Sequence, residues 1–450
     1  MQFVPPRPVR SLCGLSLALF LLGACIPGTP LTSEELLDPV ACADCHAEHY
    51  EQWSGSMHAY AADDPVFVAM NERGQRETGG ELGSFCVECH APMAVRTGAT
   101  EDGLNLAELD PKLRGVTCAF CHRIDSIEDD HNARMTLGPE ATMRGGIADP
   151  VRTRAHASVY SPLHDRHQRD SAALCGSCHD VVTPAGVHLE RTFVEWQESV
   201  FGHEGVSQLT CGNCHMRGFD GPAFDDPSAP IRRVHDHDMP GVDIALDAFP
   251  ERDEQLEAVQ GALDTTLLAE LCVVPDQGLF RIDVTLENVN AGHGWPSGAT
   301  QDRRAWVELI ATAGDNVLLS SGEVLDGEPI TELVDPNLWL MRDRMTNADG
   351  EEVHMFWEAA ATEGEQLPAS VTNDPTDPLF VHWVRKSYAV VGPAPDRVTM
   401  RVRIRPMGFE VLQSLVDSDD LDPGVLDAMP TFDLASTVLE WNGELGTCVP

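Results

Sequence analysis

The stretch that decides the fold is "CADCHAEHYEQWSGSMHAY", residues 42–60. It opens with Cys42, Cys45 and His46 in the pattern C-x-x-C-H, and a further histidine, His58, follows twelve residues later. This pattern is the attachment motif of c-type haem. Two thiols three residues apart lie on one side of a helical turn and can form thioethers with the two haem vinyl groups, and the next residue offers an imidazole to the iron. The stretch therefore predicts a covalently bound haem and raises the question of which iron His58 serves.

The same pattern occurs five times in the first half of the chain. Structural zinc uses C-x-x-C pairs two at a time and needs no histidine after each pair, and disulfides within the pairs would give the histidines no role. The repeats therefore predict five c-type haems. The predicted attachment sites are Cys42 and Cys45, Cys86 and Cys89, Cys118 and Cys121, Cys175 and Cys178, and Cys211 and Cys214, and the predicted proximal iron ligands are His46, His90, His122, His179 and His215.

The spacing of the motifs predicts close packing of the haems. Residues 41–245 carry one motif per roughly 40 residues, which is too little protein to enclose each porphyrin separately. We therefore expect the macrocycles to supply much of the core of a mainly helical and loop-rich pentahaem cytochrome c domain over 41–245. Short gaps between haems are also what electron transfer requires.

Each iron needs a second axial ligand or keeps an open position. The candidate distal ligands are His58, His156, His164, His235, His237 and His293. If residues 46–58 form one helix, His58 lies about 18 Å along the axis from His46, at about 1.5 Å per residue. A helix cannot fold back that far, so we expect His58 to serve a different haem, with the haem of His122 as the first guess. The alternative is a surface or capping histidine.

The other distal candidates also have alternatives. His164 and Gln168 share a helical spacing, so the cluster around His164 can be a partly exposed surface. His235 and His237 alternate with two aspartates and would face one side of a strand, either toward a haem or around a divalent metal. His293 stands between glycines in a loop that can approach a flat ligand closely, or it has a structural use only.

The second half of the chain contains no haem motif and has the pattern of strands. The stretches "FRIDVTL" (280–286), "AWVELIA" (305–311) and "VTMRVRI" (398–404) alternate apolar and polar residues, and turn sequences separate them. This pattern predicts an antiparallel β-sandwich over 272–450, so the expected fold class is α+β. Cys272 precedes the first expected strand and Cys448 nearly ends the chain; we expect a disulfide between them, with two free thiols as the alternative. Residues 246–271 are expected to form a linking amphipathic helix.

The first 24 residues have the pattern of a bacterial export signal. Two arginines precede an apolar run that is too short to cross a bilayer. The run ends in "LLGAC", which is typical of a lipoprotein signal and predicts acylation of Cys25, followed by a tether over 25–40. The alternative is ordinary cleavage nearby. We therefore expect an exported protein that contacts the membrane through a lipid anchor only.

The charge of the chain limits its partners. Acidic residues outnumber basic residues 72 to 30, which gives a formal charge of −42. A field of that sign repels nucleic acids and anionic membrane surfaces, so we expect no nucleic-acid partner. The expected partners are redox proteins, a donor and an acceptor.

The segments "CADCHAEHYEQWSGSMHAYA", "GVTCAFCHRI", "CGSCHDVVTPAGVHLERTFVEWQES" and "CGNCHM" resemble those of multihaem cytochromes related to the tetrahaem cytochrome that takes electrons from hydroxylamine oxidoreductase. "AGHGWPSG" followed by "RRAWVELIA" resembles the C-terminal β-domain of many such cytochromes. The resemblance implies a periplasmic or surface electron-transfer protein in which a histidine placed like His58 ligates a later haem. Pentahaem nitrite reductases carry a lysine in the catalytic motif, and this chain has no such C-x-x-C-K motif.

Three functions are compatible with these observations. The first is an electron carrier with five closely packed haems. The second is a reductase or oxidase of a small nitrogen, sulfur or oxygen compound at one five-coordinate haem, with Arg114, Arg123 or Arg144 as possible suppliers of positive charge. The third is a subunit whose β-domain docks onto a partner complex.

Overall fold

The computed structural model describes residues 30–450, which contain short helices followed by extended sheets. The expected α+β class is confirmed. The α-helices of this part of the chain are α1 (Val40–Ala43), α2 (Ala47–Ser54), α3 (Met57–Tyr60), α4 (Pro65–Glu77), α5 (Val87–His90), α6 (Pro92–Arg96), α7 (Cys118–Cys121), α8 (Ala172–Gly176), α9 (Thr192–Glu198), α10 (Cys211–His215), α11 (Arg252–Leu263), α12 (Phe409–Asp417) and α13 (Gly424–Ala428).

The strands form small two-stranded sheets in the first half and two larger sheets in the second. In the first half they are β1 (Ile124–Ile127), β2 (Met135–Leu137), β3 (Thr142–Gly145), β4 (Ala157–Tyr160), β5 (Val181–Val182), β6 (His188–Glu190), β7 (Gly218–Pro222) and β8 (Ile231–His235), of which β3 and β4 pair in parallel. In the second half they are β9 (Leu267–Asp276), β10 (Leu279–Asn288), β11 (Arg304–Ala313), β12 (Asn316–Ser321), β13 (Trp339–Met341), β14 (Asp343–Thr346), β15 (Glu352–Val353), β16 (Ala361–Gly364), β17 (Val384–Val390), β18 (Arg397–Arg405), β19 (Phe432–Asp433), β20 (Leu439–Trp441) and β21 (Thr447–Val449).

Two antiparallel sheets share one hydrophobic core in the second half. The first has the strand order β17-β10-β9-β21, and the second has the order β12-β11-β18-β19, with β13 on β11 and β20 on β18. The alternating apolar residues Ile282, Val284 and Leu286 of β10 are fully buried. Each such side chain contributes about 1.5–3 kcal/mol on burial, which is why the period of two found in the sequence fixes the face that points inward.

The three expected strands are present, as β10, β11 and β18, but the linking helix is shorter than expected. Helix α11 ends at Leu263, and strand β9 begins at Leu267 rather than after Cys272. Leu267 fits the helical spacing of α11, yet it is the first of the buried alternate residues of β9, which continue with Leu271 and Val273. A long strand paired with β10 on one side and β21 on the other satisfies more backbone groups than an extension of the helix.

Cys272 and Cys448 are joined by a disulfide in the structure. Both residues lie within strands, since β9 and β21 pair with Cys272 opposite Cys448. The bridge therefore fastens the C-terminal strand to the first strand of the sheet, across a sequence separation of 176 residues.

Helix α4 connects the two halves of the chain. Val66 and Ala69 on one face belong to the core formed by the two sheets. Arg73, one turn further along this face, donates to the carbonyl and the hydroxyl of Ser414 in α12. The other face carries Phe67, which packs in a separate small cluster with Val87 of the second motif. One helix thus covers the sheet core and the haem-motif region at the same time.

The beginning of the described chain is packed against the protein. Leu36 is buried, and the backbone N–H of Leu31 donates to Ala155 O. The expected tether over 25–40 thus has a docked part from residue 31 onward, because its leucines find an apolar surface. The expected signal segment 1–24 and the expected lipidation site Cys25 lie outside the described residues. Within residues 30–450, no helix has the length and apolar character needed to cross a membrane.

Candidate haem sites

Each C-x-x-C-H motif forms a single helical turn. In four of them the backbone N–H of the histidine donates to the backbone carbonyl of the first cysteine. The N–O distances are 2.8 Å for His46, 3.2 Å for His90, 3.0 Å for His122 and 3.1 Å for His179. The fifth motif is itself the helix α10, with Thr210 as a capping residue. The turn brings both cysteines and the histidine to one side, and all ten motif cysteines are thiols without a disulfide. Each motif therefore has the arrangement that two thioethers and an iron–imidazole bond require.

Four of the five motif histidines are oriented by backbone carbonyls. A carbonyl can only accept, so Nδ1–H of each of these four rings is the donor, and Nε2 is left for a metal. The Nδ1–O distances are 2.7 Å from His46 to Ala223, 3.0 Å from His90 to Ala61, 2.6 Å from His122 to Arg144 and 2.7 Å from His215 to Pro240. These bonds select the ring tautomer that a proximal iron ligand needs.

The motifs meet around one cavity of about 1450 Å³. Four motifs line it with their cysteines and histidines, and the fifth contributes Gly212. Three pairs of thiols from different motifs lie close enough to interact: Cys42 with Cys118, Cys89 with Cys178, and Cys175 with Cys211. The first motif is thus adjacent to the third, the second to the fourth, and the fourth to the fifth. The thiols of Cys121 and Cys178 also interact electrostatically, which links the third motif to the fourth.

Three motif histidines face a second imidazole from elsewhere in the chain. The ring centroids are 6.3 Å apart for His46 and His156, 6.2 Å for His58 and His179, and 6.1 Å for His122 and His237. A metal bound between two imidazoles, with bonds of about 2 Å on each side, places the ring centroids roughly 6 Å apart. These distances fit two axial ligands on one iron.

The ring of His58 lies opposite His179, not opposite His122 as first guessed. Helix α2 ends at Ser54, and His58 belongs to the separate helix α3, so residues 46–58 are not one helix. His58 is held by the segment before the third motif, because Val116 N–H donates to its carbonyl at 2.8 Å. Gly115 allows this approach: its φ is +73°, and a Cβ there would lie 2.8 Å from His58 O.

His164 and His237 both lie near His122, and their hydrogen bonds distinguish them. The His164 ring centroid is 5.7 Å from that of His122, but its Nε2 lies 2.8 Å from the carbonyl of Cys121. His237 directs Nδ1 to the carbonyl of His235 at 3.0 Å, which leaves its Nε2 available. The geometry favours His237 as the partner of His122, because the nitrogen that His164 leaves without a hydrogen-bond partner is Nδ1 rather than Nε2.

The remaining distal candidates differ in their placement. His293 directs Nδ1 to Gly294 O at 2.7 Å. Burial lowers the pKa of His215, and the nearby His293 lowers it further. His235 lines the cavity beside Arg166 and has a buried Nε2 without a hydrogen-bond partner. The structure thus brings His293 toward the fifth motif and does not pair His235 with a motif histidine.

The surroundings of His90 differ from those of His46, His122 and His179. Phe67 of α4 stacks on its ring, with centroids 4.0 Å apart and planes within 3°. Across residues 30–450, no imidazole is in ring contact with His90. The sequence offered no signal for Phe67, because a phenylalanine on an amphipathic helix has the pattern of an ordinary core residue.

Burial keeps the facing imidazoles neutral. It lowers the pKa of His58 to about 4, with His179 lowering it further, and that of His179 to about 4, with His215 and His90 lowering it further. It lowers the pKa of His237 to about 3, with His122 and His49 adding to the effect. A neutral imidazole is the form that binds a metal, so these sites are set for ligation at neutral pH.

The donors lining the cavity fit the propionate groups of haem. Several buried N–H and O–H groups on its wall have no hydrogen-bond partner within the protein. Because an unpaired buried donor is costly, their presence indicates acceptor groups that the chain does not supply. These donors are Thr117 Oγ1, Arg144 Nη1, Thr153 Oγ1, Arg166 Nε and Arg303 Nε.

The arginines near the motifs are mainly structural. Arg114 pairs with Asp63 at 2.7 Å, Arg144 pairs with Asp125 at 2.7 Å, and Arg123 donates to Gly138 O at 3.4 Å. A buried group that sequence reasoning missed is formed by Glu190, Gln301, Asp302 and Arg303 on the cavity wall. Its only signal was the polar run "QDRR", residues 301–304, at the start of strand β11.

The first part of the chain matches a protein-family model. Residues 41–123 match the family described as "Cytochrome c554 and c-prime". No curated protein matches the chain. Among solved structures, the chain is similar to a penta-heme cytochrome c552 from Thermochromatium tepidum, with 20% identity and a TM-score of 0.60, over 91% of this chain and 98% of that chain.

Both matches are to cytochromes of the c type. The structural similarity concerns the fold, and it extends across both the haem-motif region and the sheets. The family match covers the first three motifs, including the pair Cys118 and Cys121.

Proposed function

We propose that this chain is an exported pentahaem c-type cytochrome that carries electrons through five covalently bound haems. The observation that carries the proposal is the contact between thiols of different motifs. Because each thiol marks the edge of its haem, contacts between Cys42 and Cys118, Cys89 and Cys178, and Cys175 and Cys211 support haem edges within contact distance.

The adjacency of the motifs gives an order for the electron path. It runs from the first motif through the third and the fourth to the fifth, and the second motif lies beside the fourth. Bound haem supplies the one-electron chemistry of iron. The chain's own residues would attach it through the motif thiols, and backbone carbonyls orient four of the five motif imidazoles.

The cell location and the partners belong to the same proposal. The export signal and the cysteine that follows it support a periplasmic or cell-surface protein with a lipid anchor. The partners are a redox donor and a redox acceptor. The charge of −42 supports electrostatic selection of partners and weighs against nucleic acid.

The haem count and the reduction kinetics test this function. We expect five haems per chain by pyridine haemochrome and by intact mass, and complete reduction by a small one-electron donor. A chain with fewer than five covalent haems would contradict the count. Five haems that are reduced separately, with no exchange of electrons between them, would contradict the conduction path.

A reductase is the second candidate, and the surroundings of His90 favour it. No second imidazole among the described residues is in ring contact with His90, so an iron on this motif would keep a position for a small nitrogen, sulfur or oxygen compound. Electron paramagnetic resonance of the oxidised protein distinguishes the two functions. A high-spin haem that binds nitric oxide or hydroxylamine supports the reductase, and low-spin iron throughout excludes it.

A further inference from the structure

A group of buried polar side chains forms the cavity wall beside the second haem motif. Gln301, Asp302 and Arg303 are 6%, 5% and 8% exposed, and all three line the cavity. Glu190, at the end of β6, lines the same cavity. The proposed electron carrier does not by itself require carboxyl groups in this position.

The wall has acceptor atoms that the protein leaves without donors. Asp302 Oδ2 accepts from Gln301 Nε2 at 3.2 Å, but Asp302 Oδ1 and Gln301 Oε1 are buried and have no partner. Arg303 does not serve them, because its two Nη atoms bind the carboxylate of Asp243 at 2.5 and 2.7 Å. Unpaired buried acceptors indicate that a proton or an O–H group belongs in this position.

Burial and nearby charges bring the pKa values of these two carboxyls close to neutral pH. Burial raises the pKa of Glu190 to about 7, against the opposing effect of Arg303, and Asp302 adds to the rise. Burial also raises the pKa of Asp302 to about 6, against Arg304 and Arg303. The charged groups that face the two carboxyls are Asp180, Asp243, Arg303 and Arg304, with Asp64 beside Asp243, and with Arg191 and His188 on the chain next to Glu190.

The same wall is packed near the second motif. Leu189, which precedes Glu190, belongs to one apolar cluster with Phe356, and the Phe356 ring centroid lies 5.7 Å from that of Phe85, directly before Cys86. Phe85 and Phe356 line the same cavity as Glu190 and Asp302. An electron added at this motif would enter the space that the wall borders, and a negative charge entering a buried space favours protonation of a neighbouring acid.

We propose that Glu190 and Asp302 form a proton-uptake site, which takes one proton from solvent when the haem held by Cys86, Cys89 and His90 is reduced. The inference rests on the proposed function. An external redox protein supplies one electron, which reduces ferric to ferrous iron, and a solvent proton forms one O–H bond on a carboxylate. The net charge of the region is unchanged, so the electron is held more tightly at low pH than at high pH.

Potentiometric titration of the full haem-loaded chain tests this inference. Between about pH 5 and about pH 9, we expect the midpoint potential of one haem to fall as the pH rises, with a slope approaching about 59 mV per pH unit for one proton per electron. Glu190→Gln and Asp302→Asn should each lose most of that slope. The control is Glu254→Gln on the exposed face of α11, which should keep it.

The possible results of the titration can be distinguished from one another. A pH-independent midpoint in the unmodified chain, or an unchanged slope in both variants, overturns the proton-uptake site. If one variant fails to incorporate five haems, the other decides. A chain that binds no haem or accepts no electrons contradicts the proposed function itself, whereas full reduction with flat midpoints contradicts only the inference.

Discussion

The rings of His58 and His179 face each other with centroids 6.2 Å apart and planes at 84°. One histidine follows the first haem motif, and the other closes the fourth. Since the two rings leave space for one metal between them, the segment after the first motif would contribute a ligand to a haem attached 117 residues further along the chain from His58. Such an exchange of ligands would link the haem sites in addition to the proximity of their thiols.

His58→Ala should convert the haem of the fourth motif to high spin and leave five haems attached. Its imidazole is the only ligand removed, whereas the thioethers are unaffected. Electron paramagnetic resonance and haem quantitation check the result. The exposed His203 provides the control, since His203→Ala should not change the spin state of any haem that is low-spin in the unmodified chain.

The identity of the affected haem can be checked in a second background. In a chain lacking Cys175 and Cys178 as attachment sites, His58→Ala should add no new high-spin signal. A new signal in that background would show that His58 serves another iron, such as that of His46.

His237→Ala and His164→Ala should differ in their effect on the third motif. Nε2 of His237 is available for a metal, whereas Nε2 of His164 contacts Cys121 O at 2.8 Å. We therefore expect a new high-spin haem with His237→Ala and an unchanged spin state with His164→Ala. The opposite result would assign the third haem to His164.

Removing the disulfide should destabilise the sheets without affecting haem attachment. The bridge closes a loop between residues 176 positions apart, and loss of such a crosslink costs roughly 2–5 kcal/mol. Urea unfolding of Cys272→Ser/Cys448→Ser, followed by tryptophan fluorescence, should give a lower midpoint. A mild reductant should lower the midpoint of the unmodified chain and not that of the variant; equal sensitivity of both would contradict this role.

The buried pair of Arg304 and Glu410 should make stability depend on pH. Arg304 is fully buried, and its Nε lies 2.5 Å from Glu410 Oε1. Burial alone would raise the pKa of Glu410, but Arg304 outweighs it and holds the pKa below the usual value of 4.5. The stabilisation is therefore present above about pH 4.5 and is lost as the pH falls through the lower folded-state pKa.

Glu410→Gln removes that stabilisation and leaves Arg304 as a buried unpaired charge. We expect a loss of about 3–5 kcal/mol in the free energy of unfolding at pH 7, measured by urea titration. The difference from the unmodified chain should shrink in acid. A difference that is constant down to pH values well below 4.5 would contradict the ion pair as its cause.

The sequence predicted features within one segment better than contacts between distant segments. A C-x-x-C-H motif is complete within five residues, and the alternation of Ile282 and Val284 needs only the period of a strand. The partner of His58, by contrast, depends on how α3 packs against the segment around Gly115. The boundary between α11 and β9 was missed because Leu267 fits both a helical and a strand period, and pairing with β10 decides between them.

The placement of Glu190, Asp302 and Arg303 was not predictable for a similar reason. They come from a hairpin in the first half and from the entry to β11 in the second, and only the folded chain brings them to one wall. A buried carboxyl has no local sequence pattern, because its burial is a property of what covers it.

Helix α4 has a consequence for how this protein can be divided. Val66 and Ala69 complete the core of the sheets, while Phe67 on the opposite face supports His90. A truncation after residue 245 would expose Val66 and Ala69 to solvent. The resulting destabilisation of α4 would also weaken the support that Phe67 gives to His90 of the second motif. The C-terminal half is therefore not a removable appendage, and a chimaera that exchanges it must carry α4 with it.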